Sequence, residues 1–140
     1  MNKLTFANPE ILEEVASLAQ EGREVTFTPL GNSMLPFIRG GKDAVTLKKM
    51  PSAAVGDMVL VRLPGRYVLH RVIRVEDDAI TLMGDGNLQG TEHCRQEDVL
   101  GTVVAIHRGK RTVKPGKGTF WRRIKPLRRI ILGFYRRLFL

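Results

Sequence analysis

Ser33 stands in the run Gly31-Asn32-Ser33-Met34-Leu35-Pro36, and His70-Arg71-Val72 lies 37 residues further on, ahead of a Gly84-Asp85-Gly86-Asn87 turn. A serine hydroxyl is a poor nucleophile at neutral pH. A general base must take its proton as it attacks, and nearby donors must hold the oxyanion that forms. Gly31 lets the chain turn closely beneath the serine and Pro36 stiffens the exit, so backbone N–H groups around Ser33 could point at that oxyanion. An isolated serine in such a loop serves as a turn or cap hydroxyl. The distant histidine and the acidic turn make it a candidate nucleophile instead. Imidazole suits the base because it is largely neutral at pH 7 without adjustment, whereas a lysine would need heavy desolvation to give up its proton.

The other reactive side chains offer less. His93 and Cys94 are adjacent, and adjacent residues of an extended segment point to opposite faces, which argues against a thiol–imidazole pair. His107 ends a strand before a basic stretch and reads as a surface residue. His70, His93, Cys94 and His107 have no zinc-site spacing. No metal or cofactor is expected. The single cysteine excludes an internal disulfide.

The elements that must position Ser33 and His70 are one helix followed by strands. Asn8-Pro9-Glu10 predicts a capped helix start, and Ile11, Leu12, Val15, Leu18 and Ala19 continue an apolar stripe as far as Glu21-Gly22. Strand-like segments follow at residues 25–30, 44–47, 58–63, 67–75, 79–83, 100–107 and 111–113. Tight turns such as Pro64-Gly65 and Asp77-Asp78 separate several of them. Consecutive short strands of this kind predict an antiparallel, mostly β domain. The chain divides into an N-terminal helix (residues 1–24), a β domain (25–113) and a basic linker and tail (114–140).

A net charge of +9 over 140 residues suggests a nucleic-acid partner until it is divided along the chain. Residues 1–107 hold 11 Lys or Arg and all 14 acidic residues, whereas residues 108–140 hold 12 Lys or Arg and no acid. The basicity therefore belongs to the tail. On a helical wheel Phe120, Ile124, Leu127, Ile131, Phe134, Tyr135 and Leu138 share one face, and Arg122, Lys125, Arg129 and Arg136 lie opposite. A basic amphipathic helix with a solid apolar face suits an anionic membrane surface, where bulky groups enter the acyl boundary and guanidiniums meet headgroups. Packing on its own domain is the alternative. A phosphate backbone would need the charge but not the apolar face, so no specific nucleic acid is expected. No run approaches the ~20 apolar residues of a membrane span, and residues 1–6 lack the pattern of a secretory signal.

With these motifs placed, the chain resembles the serine peptidases that comprise type I signal peptidases and the LexA-like self-cleaving domains. The resemblance covers residues 25–113. It rests on Gly31-Asn32-Ser33-Met34-Leu35-Pro36, Val55-Gly56-Asp57-Met58-Val59-Leu60-Val61, His70-Arg71-Val72, Gly84-Asp85-Gly86-Asn87 and Asp98-Val99-Leu100-Gly101-Thr102-Val103, in that order. The His-Arg-Val context is similar to the endoplasmic-reticulum, archaeal and spore-former type, which uses histidine as the base.

The likeness implies a LexA/signal-peptidase-like β fold, Ser33 as nucleophile, His70 as general base and Asp85 as an acidic group near the base. That histidine type carries a second acid a few positions after the Gly-Asp turn. Here the stretch reads Leu88-Gln89-Gly90-Thr91-Glu92, so Asp85 and Glu92 compete to orient His70. The family often has a hydroxyl two residues before the nucleophile; this chain has Gly31, leaving Asn32 or backbone donors to hold the oxyanion. LexA-like domains cut an Ala-Gly or Cys-Gly bond upstream of the serine, and neither dipeptide occurs here.

The expected activity is cleavage of a separate extended peptide or precursor by a Ser33/His70 mechanism. The expected setting is the cytoplasmic, inner face of a membrane, reached through residues 119–140. The alternative is a non-catalytic peptide- or membrane-binding protein that keeps the peptidase fold.

Overall fold

The computed structural model describes residues 2–4, 8–31, 33–86, 90–118, 131–133 and 137. Helix α1 (Pro9–Gln20) starts where Asn8 and Pro9 predict: the Asn8 side chain accepts a hydrogen bond from Ile11 N at 2.9 Å. Such a cap satisfies one of the donors left orphaned at a helix start and contributes about 1 kcal/mol. Val15, Ala16 and Ala19 are buried on the inner face of α1, which packs on the sheet.

Nine strands among the described residues form one curled, mostly antiparallel sheet. They are β1 (Asn2–Leu4), β2 (Val25–Phe27), β3 (Ala44–Lys48), β4 (Met58–Leu63), β5 (Arg66–Glu76), β6 (Ala79–Met83), β7 (Glu92–Arg95), β8 (Val99–Arg108) and β9 (Arg111–Val113). Their order is β1-β2-β3-β8-β4-β5-β6-β7, with β9 added to β8. Only the short β1–β2 pairing is parallel. Register shifts fall opposite Thr46/Leu47 and Leu60/Val61, where β8 carries an extra residue each time, Val104 and Leu100, and on β5 between Val72 and Arg74, where Ile73 is extra. Bulges of this kind bend a strand and sharpen its twist, which is how one sheet curls around two cores.

Strand β4 lies between those cores. Met58 and Leu60 join the larger cluster, with α1, β2, β3 and β8, while Val59, Val61 and Leu63 join a second with Val68, Val72, Ile80 and Leu82. That accounts for its unbroken apolar run, since a strand buried on both faces has no polar side.

Four predicted strands shift at their ends. The segment expected at 25–30 stops at Phe27, and Pro29, which has no N–H for a ladder, instead accepts a hydrogen bond from Gly41 N at 2.8 Å. Two strands were not anticipated, β1 and β7. The latter reads Glu-His-Cys-Arg, too polar to signal a strand by alternation. At the other end, Ile131–Gly133 and Arg137 are helical, while the rest of the amphipathic helix expected over 119–140 lies outside the described residues. Leu132 is 1 % exposed and packs with Leu35, whereas Ile131 is 37 % exposed. No helix among the described residues is long and apolar enough to cross a membrane.

Candidate active site

Strand β5 supplies the histidine. His70 pairs with Val59 across β4, which fixes its position, and its side chain is only 7 % exposed. His70 Nδ1 hydrogen bonds to Oε1 of Glu92, the first residue of β7. A carboxylate only accepts, so the neutral ring carries its proton on Nδ1 and keeps the Nε2 lone pair for a second partner. This is the tautomer that a general base needs.

Ser33 begins the turn that follows Gly31, and it lines the same cleft as His70 and Glu92, a cavity of about 390 Å³. The turn is held from several sides. Phe37 N and Ile38 N both donate to Met34 O at 3.0 Å, and Gly86 N donates to Ser33 O at 2.7 Å. Arg108 donates to the carbonyls of Pro36 and Phe37, and its Nε lies 3.4 Å from Asp43. Asp43 also accepts from Arg39 N at 2.8 Å, closing the loop behind the serine. Gly40 is required by contact: a Cβ there would fall 1.7 Å from Gly31 O. Residues 31 and 40 thus meet closely beneath Ser33.

Asp85, expected near His70, is bonded to Arg71, the next residue of β5. Arg71 donates to it from Nε at 2.8 Å and from Nη2 at 2.6 Å, while Nη1 reaches Gly56 O at 2.8 Å and Gly116 O at 3.1 Å. Both members of the pair are buried, and the Arg71 guanidinium lies 5.1 Å from the Phe37 ring centroid. Of the two carboxylates set against each other for His70, Glu92 is the one bonded to it. Asp85 serves the Ser33 loop, through Arg71 and through Gly86, its neighbour in the turn. Arg71 entered the sequence reading only as context for His70, yet it organises this side of the site. The sequence signal for that role is the place of this cation directly after His70.

The cleft has an open wall. Strand β6 pairs with β5 only from Arg71 onward, and Arg66 to His70 pair with β4 alone among the described residues. The outer edge of that stretch faces Pro29, Leu30 and Gly31 across the cleft. It is a strand edge with its backbone groups available for an added strand.

The remaining candidates fall away from the cleft. His93 is exposed and its Nδ1 lies 3.3 Å from Thr81 Oγ1, while Cys94 packs towards the second core. Burial, with Asp98 and Asp78 nearby, pushes the Cys94 thiol up to about 11, so it is not a thiolate at neutral pH. His107, read as a surface residue, is half-buried between Thr46 Oγ1 at 2.7 Å and Thr112 Oγ1 at 3.1 Å.

A curled antiparallel sheet that gathers a loop serine, a strand histidine and a carboxylate at one cleft is a peptidase-like architecture. The family model described as Peptidase S24-like matches residues 14–104, and the chain belongs to that family. No curated protein matches the chain.

Proposed function

We propose that the protein is a serine endopeptidase of the histidine-base type that cleaves an extended peptide or precursor. The observation that carries this reading is the hydrogen bond from His70 Nδ1 to Glu92, in a cleft that His70 shares with Ser33. The substrate lies as an added strand along Arg66 to His70 and hydrogen bonds through its main chain. Ser33 Oγ attacks the scissile carbonyl as His70 Nε2 takes its proton. The imidazolium then protonates the leaving amine, and water releases the acyl group by the same steps in reverse. Glu92 holds the ring and offsets the charge it gains. The oxyanion falls to backbone donors of the turn, since Gly31 brings no hydroxyl.

The partner in this reading, besides the peptide, is an anionic membrane surface met by residues 119–140, with the protein peripheral to its inner, cytoplasmic face. The support is the segregation of charge: 12 basic residues and no acid in 108–140.

Acylation by a fluorophosphonate probe and cleavage of a peptide library test the mechanism. Wild type is labelled and active, and Ser33→Ala and His70→Ala are neither. Activity that survives both substitutions sinks the mechanism, and peptide binding without labelling of the wild type establishes the non-catalytic alternative.

A further inference from the structure

Strand β5 is open along the cleft, and its backbone pattern decides which groups it offers there. Val72 N donates to Asp57 O and Gly56 N donates to Val72 O, both at 2.8 Å, so Val72 uses its main-chain pair on the β4 side. Backbone groups alternate between the two edges of a strand, which turns those of His70, Val68 and Arg66 towards β4 as well. Tyr67 and Leu69 then hold the outward N–H and C=O groups, in the stretch that β6 does not cover. Side chains keep the same period, so His70, Val68 and Arg66 share one face of β5. A strand added to this edge with its scissile bond at His70 places another of its side chains beside Arg66, about four residues or ~13 Å away at ~3.3 Å per residue.

The charges in the cleft are few and well separated. Apart from the imidazole, its lining holds two charged side chains, Glu92 and Arg66. Glu92 is engaged by His70 Nδ1. Arg66 is exposed and pairs with no acid among the described residues, whereas Arg71 and Arg74 of the same strand are matched to Asp85 and Glu76. The middle of the cleft is uncharged: Leu69 lies there, and Leu30, 56 % exposed, is on the wall across from β5. An edge cation also discourages unwanted strand pairing. Here it stands at one end of a cleft with a carboxylate at the other, and that polarity ranks incoming strands by where they carry their charge.

We infer that Arg66 reads an Asp or Glu of the substrate about four residues from the scissile bond, and that Glu92 turns away strands with an acid next to the cut. This names the substrate class of the proposed peptidase and rests on that reading for the position of the cut. The contact is an exposed cross-strand ion pair, so it is a selectivity of about threefold to fivefold and is weakened by salt.

The test uses the full chain carrying Ser33→Ala and fluorescein-labelled ten-residue peptides, otherwise uncharged, in which one Glu, Gln or Lys is stepped through the positions. Fluorescence anisotropy should show one register in which Glu binds about threefold to fivefold more tightly than Gln, with Lys weakest. Arg66→Glu in the same background should reverse that order, and Arg66→Lys should keep it. With the wild-type serine, Glu should promote cleavage about four residues from the cut on one side and depress it next to the cut. The gain should fall mainly in KM, because the contact is remote from the reacting bond. A Glu preference that survives Arg66→Glu, or the absence of any favoured register, overturns the inference. Binding does not depend on turnover, so a chain that prefers the acidic peptides through Arg66 yet neither cleaves nor labels at Ser33 upholds the recognition and removes the peptidase reading. A chain that cleaves without regard to the acid does the reverse.

Discussion

His70 and Arg71 are neighbours on β5 that divide two carboxylates between them: His70 takes Glu92 from β7, and Arg71 takes Asp85 from the turn after β6. Successive residues of a strand face opposite ways, so one dipeptide serves both the cleft and the loop that carries Ser33. The two acids are therefore not interchangeable, and they should fail differently when changed.

Glu92→Gln is expected to lower kcat by about 100-fold or more, the scale of losing a positioned base, while the melting temperature stays near wild type. The amide can present its N–H to the ring and favour the wrong tautomer. Steady-state kinetics alongside thermal denaturation checks this, and wild-type kcat in the variant removes Glu92 from the mechanism.

Asp85→Asn should instead be a stability variant. Removing one partner from a buried ion pair costs about 3–5 kcal/mol because the other charge is left uncompensated. Arg71→Met should cost a similar amount, and the double variant less than the sum of the two. Urea denaturation of the four proteins in a double-mutant cycle gives the coupling, and additivity would show that the pair does not act as a unit.

Gly40→Ala is expected to displace the turn beneath Ser33, since its Cβ would sit 1.7 Å from Gly31 O and no flexible side chain is there to yield. A destabilisation of about 3 kcal/mol, at the upper end of usual overpacking costs, with loss of probe labelling is the expected result. A variant with wild-type stability and labelling would mean that the two loops separate freely.

The thiol of Cys94 should alkylate slowly at neutral pH, and its linkage to stability has a definite sign. Its folded pKa is raised from 9.0 to about 11 by burial and by Asp98 and Asp78. Below pH 9 both states hold the proton and the contribution is fully present. Between pH 9 and 11 the unfolded chain ionises first, and the contribution is lost as pH rises. Wild type should therefore lose stability more steeply than Cys94→Ser across that window, which denaturation at a series of pH values measures.

Much of the scaffold was legible in the chain. The strands at 58–63, 79–83 and 111–113 have the bounds their turns and apolar runs predict, and Asn8-Pro9 marks the helix start. These are local signals. The division of the carboxylates was not local: Asp85 lies in the turn after β6 and Glu92 opens β7, and only the pairing of β7 with β6, Leu82 opposite Glu92, decides which of them meets His70. The polar β7 carries no alternation from which that register could be read. Leu132 was equally hidden, because it falls off the apolar stripe that the helical wheel picks out.

Strand β7 has one strand neighbour, β6, among the described residues, and Glu92 sits at its first position. Edge elements detach at a fraction of the cost of global unfolding. Losing this one strand would strip His70 of its carboxylate while both cores stayed intact. The His70–Glu92 contact and the folded state would then melt separately, and a melting curve that follows the cores would overstate how long the cleft keeps its shape.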